Sequence, residues 1–319
     1  MRWEDLEQSQ NVEDRRGEGG SVGGGGGGFG LPFGGGGLGL GTMVIIGLIG
    51  WGVFGNNPLV LLGLLSGSGG GLGYQQQPYR PSPQQTQARR TGAPSDDIGN
   101  FVSRILGSTE VQWKDIFSKD GQTYRPPILV MYRGQTDAPC GGEARSAMGP
   151  FYCPADQKVY LDTSFFQEIE TRFRGCAGKA CQFSQAYVVA HEVGHHVQNL
   201  LGILPKIQRQ QRGLDRTGAN RLQVPVELQA DCFAGIWANH ENQRQKDRGR
   251  PDFITQSDID AALQTAAAIG DDTLQRRAGR NVVPDSFTHG SSEQRQRWFK
   301  TGFQQGTVAA CDTFKASGL

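Results

Sequence analysis

The sequence predicts an α+β domain, mainly helical with a small sheet, that follows an N-terminal transmembrane helix. Three observations lead to this prediction. A charge-free apolar stretch lies near the N-terminus, at residues 38–65. Two short β-rich runs, PPILVMY and FYCPADQKVYLD, come early in the region beyond it, and stretches with helical apolar spacing follow them. Strands followed by helices in this order are typical of the α+β class.

The first 37 residues are predicted to be a disordered, glycine-rich arm. The chain has 48 glycines among its 319 residues, and most positions between Gly17 and Gly41 are glycine. Such a stretch cannot bury enough surface to offset the loss of backbone entropy on folding. Residues 66–95 are rich in Gly, Gln and Pro, so they are predicted to form an extended linker.

Residues 38–65 are predicted to anchor the chain in a membrane as a single span. The segment LGLGTMVIIGLIGWGVFG carries no charge, and LVLLGLL follows after an Asn-Asn-Pro sequence. The first piece has about 18 residues, near the lower limit for crossing a hydrocarbon core of about 30 Å. A buried helix and a cleaved signal peptide are the alternatives. The run begins late for a signal peptide, however, and no A-x-A cleavage site follows it.

Cysteine positions indicate on which side of the membrane the domain lies. Positive charge does not decide the orientation, because arginines flank the span equally on both sides: Arg2, Arg15, Arg16, Arg80, Arg89 and Arg90. All six cysteines follow the span and none forms a C-x-x-C pair. An even number on one side predicts disulfides and an extracytoplasmic domain, periplasmic or extracellular, with free cytosolic thiols as the alternative. Six cysteines allow 15 pairings; local spacing favours Cys140–Cys153 and Cys176–Cys181, which would leave Cys232–Cys311 as the third pair.

Residues 96–319 are predicted to form one domain, long enough to have its own hydrophobic core. Asp96 and Asp97 precede a stretch with helical spacing, and Asp162 is predicted to cap a short helix after the second β-rich run. The formal net charge is +1 and the chain has no dense basic run. This charge pattern argues against a nucleic-acid partner.

The stretch AHEVGHHVQNLLGI contains three of the chain's five histidines. Ser184 is predicted to cap its helix, on which His191 and His195, four positions apart, share one face. This is the H-E-x-x-H arrangement, in which two imidazoles bind one zinc ion and the glutamate, Glu192, lies beside it. His196 is about 140° round the helix from His191. It is therefore predicted to support the structure or the site without binding the ion.

A second helix is predicted in PVELQADCFAGIWANH, with Pro225 in its first turn. Glu227 and Asp231 are four positions apart and share a face. A catalytic zinc ion takes three protein ligands and keeps one position open, so Glu227 is predicted to be the third ligand. Asp231 is predicted to accept the remaining ring N–H of a ligand histidine and thereby to fix its tautomer. The alternative is that both acids simply favour the helix dipole.

The chain resembles the bacterial family of neutral zinc metallopeptidases, and more broadly the gluzincins. MRWEDLEQSQNVEDRR, AHEVGHHVQNLLGI and ELQADCFAGIWA carry the resemblance, together with the Gly-rich stretch and the apolar span. The resemblance implies a zincin-like fold, a Zn²⁺ cofactor held by His191, His195 and Glu227, and hydrolysis of peptides or unfolded proteins with Glu192 as the general base. A membrane-tethered, zinc-stabilised interaction module without catalytic activity is the competing function, and it would not need Glu192.

The segment THGSSEQR near the C-terminus is similar to a T-H-x-x-x-E-x-R segment of related membrane proteases. His289 in this segment is a candidate donor to the oxyanion of the reaction, and a purely structural turn histidine is the alternative. Ser291 and Gln294 are predicted to start the next helix as a capping box. By analogy with the fold, a peptide substrate is expected to bind as an extended strand along the sheet edge, at residues 147–160.

Overall fold

The computed structural model of the protein describes residues 1–18, 91–140, 142–145, 149–171, 176, 181–251 and 253–315. The predicted span at residues 38–65 lies outside these ranges, as do the stretches that flank it from residue 19 to residue 90. Within the described ranges, no helix is both long enough and apolar enough to cross a membrane.

The described part of the chain is mainly helical. Its helices are α1 (Asp97–Lys119), α2 (Phe165–Thr171), α3 (Cys181–Leu200), α4 (Ile203–Gln211), α5 (Arg216–Asp247), α6 (Gln256–Ala268), α7 (Asp271–Arg277) and α8 (Ser292–Gln305). Its strands are β1 (Val12–Asp14), β2 (Ile128–Tyr132), β3 (Gln135–Ala138), β4 (Gly142–Arg145), β5 (Phe151–Cys153) and β6 (Lys158–Asp162). The predicted α+β class, with most helices after the strands, is confirmed.

The main sheet has four strands in the order β1-β2-β6-β5. β1, β2 and β6 run parallel, whereas β5 pairs antiparallel with β6 and forms one edge. β3 and β4 form a separate antiparallel ribbon. Side chains alternate along β2, so that Leu129 and Met131 join the main core while Val130 and Tyr132 join a smaller cluster. Both faces of the sheet are therefore covered.

The first 18 residues fold into the domain, so the prediction of a disordered arm over 1–37 is wrong for this part. Val12 lies beside Leu129 in the parallel pairing of β1 with β2. Leu6 and Val12 are each only 1% exposed and belong to the main core. Local composition could not predict this, because the stabilising contacts join residues that are far apart in the sequence.

Two helices begin earlier than predicted. α3 begins at Cys181, so Ser184 lies inside the helix and does not cap it. α5 begins at Arg216 with Asp215 as its N-cap, so Pro225 lies in the helix interior. Proline there removes one backbone hydrogen bond of the helix, a cost that the extensive burial of α5 offsets.

Other predicted helix starts are confirmed. Asp96 caps α1 by accepting a hydrogen bond from the backbone N–H of Gly99. Ser291 and Gln294 form the predicted capping box at α8. The prediction for Asp162 is wrong: this residue ends β6, α2 begins only at Phe165, and Asp162 Oδ1 accepts hydrogen bonds of 2.8 and 2.7 Å from the backbone N–H and the hydroxyl of Ser164, ahead of the helix.

Glycines allow α8 to pack very closely against α5. A Cβ atom on Gly302 of α8 would lie only 1.9 Å from the carbonyl oxygen of Cys232 in α5. A Cβ atom on Gly235 of α5 would lie 2.2 Å from a backbone oxygen of α8. Only residues without side chains permit this approach. It brings Arg295, two turns before Gly302, against the buried face of α5.

All six cysteines are paired in disulfides. The pairs are Cys140–Cys153 and Cys176–Cys181, which local spacing favours, and Cys232–Cys311, the pair that these two leave. The last of them joins α5 to a 3-10 turn near the C-terminus across a sequence separation of 79 residues.

Candidate metal centre

Two packed helices bring three potential metal ligands together in the interior. His191 and His195 lie one turn apart on α3, and Glu227 lies on α5. The Nε2 atoms of His191 and His195 lie 3.4 and 3.5 Å from Glu227 Oε2. The ligand atoms of all three residues lie within 4.8 Å of one another. This spacing suits a zinc ion with bonds of about 2.1 Å, because two corners of such a tetrahedron are roughly 3.4 Å apart.

Gly194, which lies between the two histidines in the sequence, sets the distance between α3 and α5. A Cβ atom on Gly194 would lie 3.1 Å from the carbonyl oxygen of Ala230 and 3.4 Å from its Cβ atom. A larger side chain on either residue would therefore separate α3 from α5. The separation of Glu227 from the two imidazoles depends on this contact.

Electrostatics favour a positive charge at this position. Burial disfavours a charged imidazole, but the Asp231 carboxylate raises the pKa of His191 to about 10. Burial also opposes ionisation of Glu227, yet His195 and His191 hold the pKa of this carboxyl well below its ordinary value. Surroundings that attract a proton so strongly also attract a divalent cation. With two imidazoles and one carboxylate as donors, the site fits Zn²⁺.

Asp231 holds the far side of the His191 ring. Its Oδ1 atom lies 2.8 Å from His191 Nδ1, so the ring donates its N–H there and keeps Nε2 directed at Glu227. Arg295 donates hydrogen bonds of 2.8 and 2.9 Å to the two oxygens of Asp231, and the Tyr187 hydroxyl donates to Oδ1. Burial would raise the pKa of Asp231, but Arg295 and His191 together lower it to about 2.

Gln198 has the corresponding role for His195. Its Oε1 atom lies 2.9 Å from His195 Nδ1. Because an amide oxygen only accepts, the ring proton lies on Nδ1 and Nε2 is left as a ligand. The Gln198 amide nitrogen donates to Val226 O at 2.7 Å and to Gln229 Oε1 at 3.0 Å. Gln229 in turn donates to the carbonyl oxygen of Cys311 at 2.9 Å, which links the site to the long-range disulfide.

The sequence profile of the family described as "Putative neutral zinc metallopeptidase" matches residues 1–314. The chain belongs to this family. "Uncharacterized protein YpfJ" of Escherichia coli (strain K12) is 45% identical over 317 residues, covering 99% of this chain and 100% of the relative. "Uncharacterized protein Rv2575" of Mycobacterium tuberculosis (strain H37Rv) is 42% identical over 237 residues, covering 72% of this chain and 75% of the relative. No solved structure matches the chain.

Membership of the metallopeptidase family implies a Zn²⁺ cofactor, and the group formed by His191, His195 and Glu227 is suited to hold it. Glu192 lies beside this group without belonging to it. Its side chain is buried, and burial raises the pKa of Glu192 above its ordinary value, while positive charge on His191 and His195 acts in the opposite direction. The Glu192 carboxylate therefore interacts electrostatically with the three candidate ligands without being one of them.

His196 faces away from the metal group and is fully buried, with 0% exposure. Its Nε2 atom lies 2.7 Å from the backbone oxygen of Arg125, and its Nδ1 atom lies 3.1 Å from the Tyr152 hydroxyl. The ring therefore donates to the carbonyl and accepts from the hydroxyl. His196 connects α3 to the edge strand β5 and to the segment before β2.

His289 lies in the loop before α8, within electrostatic range of the metal group. Its imidazole interacts electrostatically with Glu227. Asp271 holds the loop, because its Oδ2 atom accepts the backbone N–H groups of Thr288, His289 and Gly290. Asp271 Oδ1 also lies 3.2 Å from His289 Nδ1. Burial opposes protonation of His289, but Asp271 outweighs it and raises the pKa of this imidazole.

Sequence reasoning did not identify three residues that orient the two ligand histidines: Tyr187, Gln198 and Arg295. Arg295 is the last residue of THGSSEQR, so the resemblance that drew attention to His289 already contained it. Tyr187 and Gln198 lie on α3 itself, four residues before His191 and three after His195. Helical spacing places them near the ligands, but it does not distinguish them from ordinary core residues.

Proposed function

We propose that the protein is a zinc-dependent endopeptidase that hydrolyses peptide bonds in peptides or unfolded proteins. The observation that carries the proposal is the buried carboxylate of Glu192 beside the metal group but outside it. A metal site that only stabilises a fold does not need this acid, whereas hydrolysis requires a base to accept a proton from water.

In this mechanism His191, His195 and Glu227 hold the cofactor. When bound, Zn²⁺ polarises the scissile carbonyl and lowers the pKa of the attacking water. Glu192 accepts the proton of that water and then delivers it to the leaving amine, a role that its raised pKa favours. His289 donates a hydrogen bond to the negative charge that develops on the carbonyl oxygen.

The substrate would bind in an extended conformation along β5, the edge strand of the main sheet. β5 is the last of the described strands in the order β1-β2-β6-β5, and extended peptides commonly add to a sheet at such a strand. Tyr152 of this strand contacts His196, so the strand packs against α3, the helix that carries His191 and His195. Methylating successive backbone nitrogens of a cleaved peptide should raise KM at alternate positions only. Uniform effects at every position would contradict this binding mode.

We also propose that the domain is extracytoplasmic, because all six cysteines form disulfides, and disulfides persist in oxidising compartments. Trapping thiols with a maleimide in intact cells before lysis should leave all six cysteines unmodified. Free thiols in the trapped protein would place the domain in a reducing compartment.

The deciding experiment compares the wild type with Glu192→Gln in zinc content and in cleavage of an unfolded protein. The variant is expected to keep one zinc ion per chain and to lose hydrolysis by at least about 100-fold, the usual contribution of a general base. Glu293→Gln, which changes an exposed acid on α8, serves as the matched control. Equal behaviour of wild type and Glu192→Gln would favour the zinc-stabilised interaction module instead.

A further inference from the structure

The two oxygens of the Glu227 carboxylate have different surroundings. Oε2 lies 3.4 Å from His191 Nε2 and 3.5 Å from His195 Nε2, so it is the oxygen that faces the other two candidate ligands. Oε1 accepts a hydrogen bond of 2.9 Å from Nε2 of Gln223, which lies one turn earlier on α5. One oxygen is therefore left for a metal ion, and the other is engaged by an amide.

Gln211, the last residue of α4, determines which way the Gln223 amide points. Its Nε2 atom donates to the carbonyl oxygen of Ala219 and to Gln223 Oε1, both at 3.2 Å. Because a metal-binding carboxylate can only accept, Gln223 must present its NH2 group to Glu227 and its oxygen to Gln211. A chain of hydrogen bonds therefore runs from α4 through Gln223 to the metal group.

Packing fixes α4 beside this chain of hydrogen bonds. Leu204 and Ile207 of α4 are buried and belong to the main core. Gln211 and Gln223 are both partly buried, so water competes less for their amide groups than it would at an exposed position. The position of α4 thus supports the contact between Gln223 and the ligand carboxylate.

The engaged oxygen matters because a carboxylate can bind a metal ion through one oxygen or through both. With two imidazoles and one carboxylate oxygen as ligands, a zinc ion keeps one position of its tetrahedron open for water or substrate. A second bond, from Glu227 Oε1, would fill that position or raise the coordination number. The hydrogen bond from Gln223 to a charged oxygen is of the strong class and competes with this second bond.

We propose that Gln223 is a positioning residue that makes Glu227 a ligand through one oxygen only, and that Gln211 holds Gln223 in the required orientation. The two amides thereby preserve the open position of the metal ion. The proposal rests on the group formed by His191, His195 and Glu227 and not on the hydrolysis of peptides. Its test therefore needs no substrate, and it can fail while the proposed peptidase function stands.

The test replaces Zn²⁺ with Co²⁺ in the full-length protein, because the visible spectrum of Co²⁺ reports its coordination number. Four-coordinate Co²⁺ absorbs more strongly than five- or six-coordinate Co²⁺, so the wild type should show the intense spectrum. Gln223→Leu removes the donor at similar side-chain size, and we expect its spectrum to lose intensity as Glu227 Oε1 joins the metal. Gln210→Leu, an exposed neighbour of Gln211 on α4, should keep the wild-type spectrum.

Gln211→Leu is the second variant and tests the remote part of the chain of hydrogen bonds. It should change the spectrum in the same direction but less, because the Gln223 donor is still present. Combining it with Gln223→Leu should add nothing further, since Gln211 acts only through Gln223.

Three results would overturn the proposal. The first is a weak spectrum in the wild type, which would mean that the metal ion already has more than four ligands. The second is a wild-type spectrum in Gln223→Leu, whether or not the Tm of the metal-free protein falls, because Gln223 would then only pack. The third is an additive effect of the two substitutions, which would separate Gln211 from Gln223.

Discussion

Asp231 Oδ1 lies 2.8 Å from His191 Nδ1, and Arg295 donates hydrogen bonds to both oxygens of the same carboxylate. One buried acid on α5 therefore orients a metal ligand on α3 and neutralises a cation on α8. Because both interactions share one carboxylate, we expect metal affinity to depend on the docking of α8.

Replacing Asp231 with Asn is expected to weaken zinc binding by about 10–100-fold, the usual effect of removing the partner of a ligand histidine. It also leaves Arg295 without its countercharge, so the free energy of unfolding should fall by about 3–5 kcal/mol. Competition with a chromophoric chelator measures the first effect, and urea unfolding measures the second. Asp247→Asn, on the same helix but exposed, is the control. Unchanged zinc affinity in Asp231→Asn would contradict the orienting role.

The three disulfides should differ in their contribution to stability according to the loops they close. Chain-entropy estimates give about 4.5 kcal/mol for a loop of 79 residues, about 3 for 13 and about 2 for 5. Paired Cys→Ser substitutions at Cys232 and Cys311 should therefore lower Tm the most, and those at Cys176 and Cys181 the least. Calorimetry of the three double variants checks the order. The reverse order would show that native packing, and not loop closure, dominates.

Adding a single methyl group at Gly302 should disrupt the contact between α5 and α8. The new Cβ would meet the carbonyl oxygen of Cys232 at 1.9 Å, so Gly302→Ala must displace a backbone. We expect a loss of at least about 2 kcal/mol in the free energy of unfolding, together with weaker zinc binding because Arg295 moves. Gln304→Ala, exposed on the same helix, should change neither quantity. A Gly302→Ala protein with wild-type stability would show that the helices are not held at this distance.

Acid should weaken the attachment of the N-terminal segment, residues 1–18, to the rest of the domain. Arg244 lowers the pKa of Glu7 to about 2, and Arg16 holds the pKa of Asp96 below its usual range. Both carboxyls have a lower pKa in the folded protein than in the unfolded chain. Their stabilising effect is therefore complete above about pH 4.5 and is lost as the pH falls toward 2.

The measurement for this pH effect is urea unfolding of the wild type and of Glu7→Gln from pH 7 to pH 2. The variant should be less stable at pH 7, and the difference should vanish as the pH approaches 2. Glu4→Gln, an exposed acid of the same segment, should follow the wild type throughout. A difference between wild type and Glu7→Gln that persists at pH 2 would mean that packing, and not charge, accounts for the contribution of Glu7.

Much of the candidate site could be predicted from the sequence because its key spacings are local. Two histidines four residues apart must share a helix face, and the same rule places Asp231 one turn after Glu227. The β-rich composition of FYCPADQKVYLD likewise predicted strand structure where β5 and β6 lie, and Ser291 with Gln294 predicted the capping box of α8. Each of these features is determined within one or two turns of chain, where residue type and backbone geometry are directly connected.

The tertiary structure alone decided how distant segments meet. Arg295 reaches Asp231 only because glycine contacts let α8 approach α5, and Gln198 is recognisable as a partner of His195 only once both are placed. Three residues of the N-terminal segment form β1 and pair with β2, although the sequence of this segment is short and polar. Such pairings are selected by the free energy of the whole fold, to which distant residues contribute together. That is why the sequence predicted the candidate metal ligands, whereas only the fold decided that residues 1–18 pair with the strands that follow residue 90.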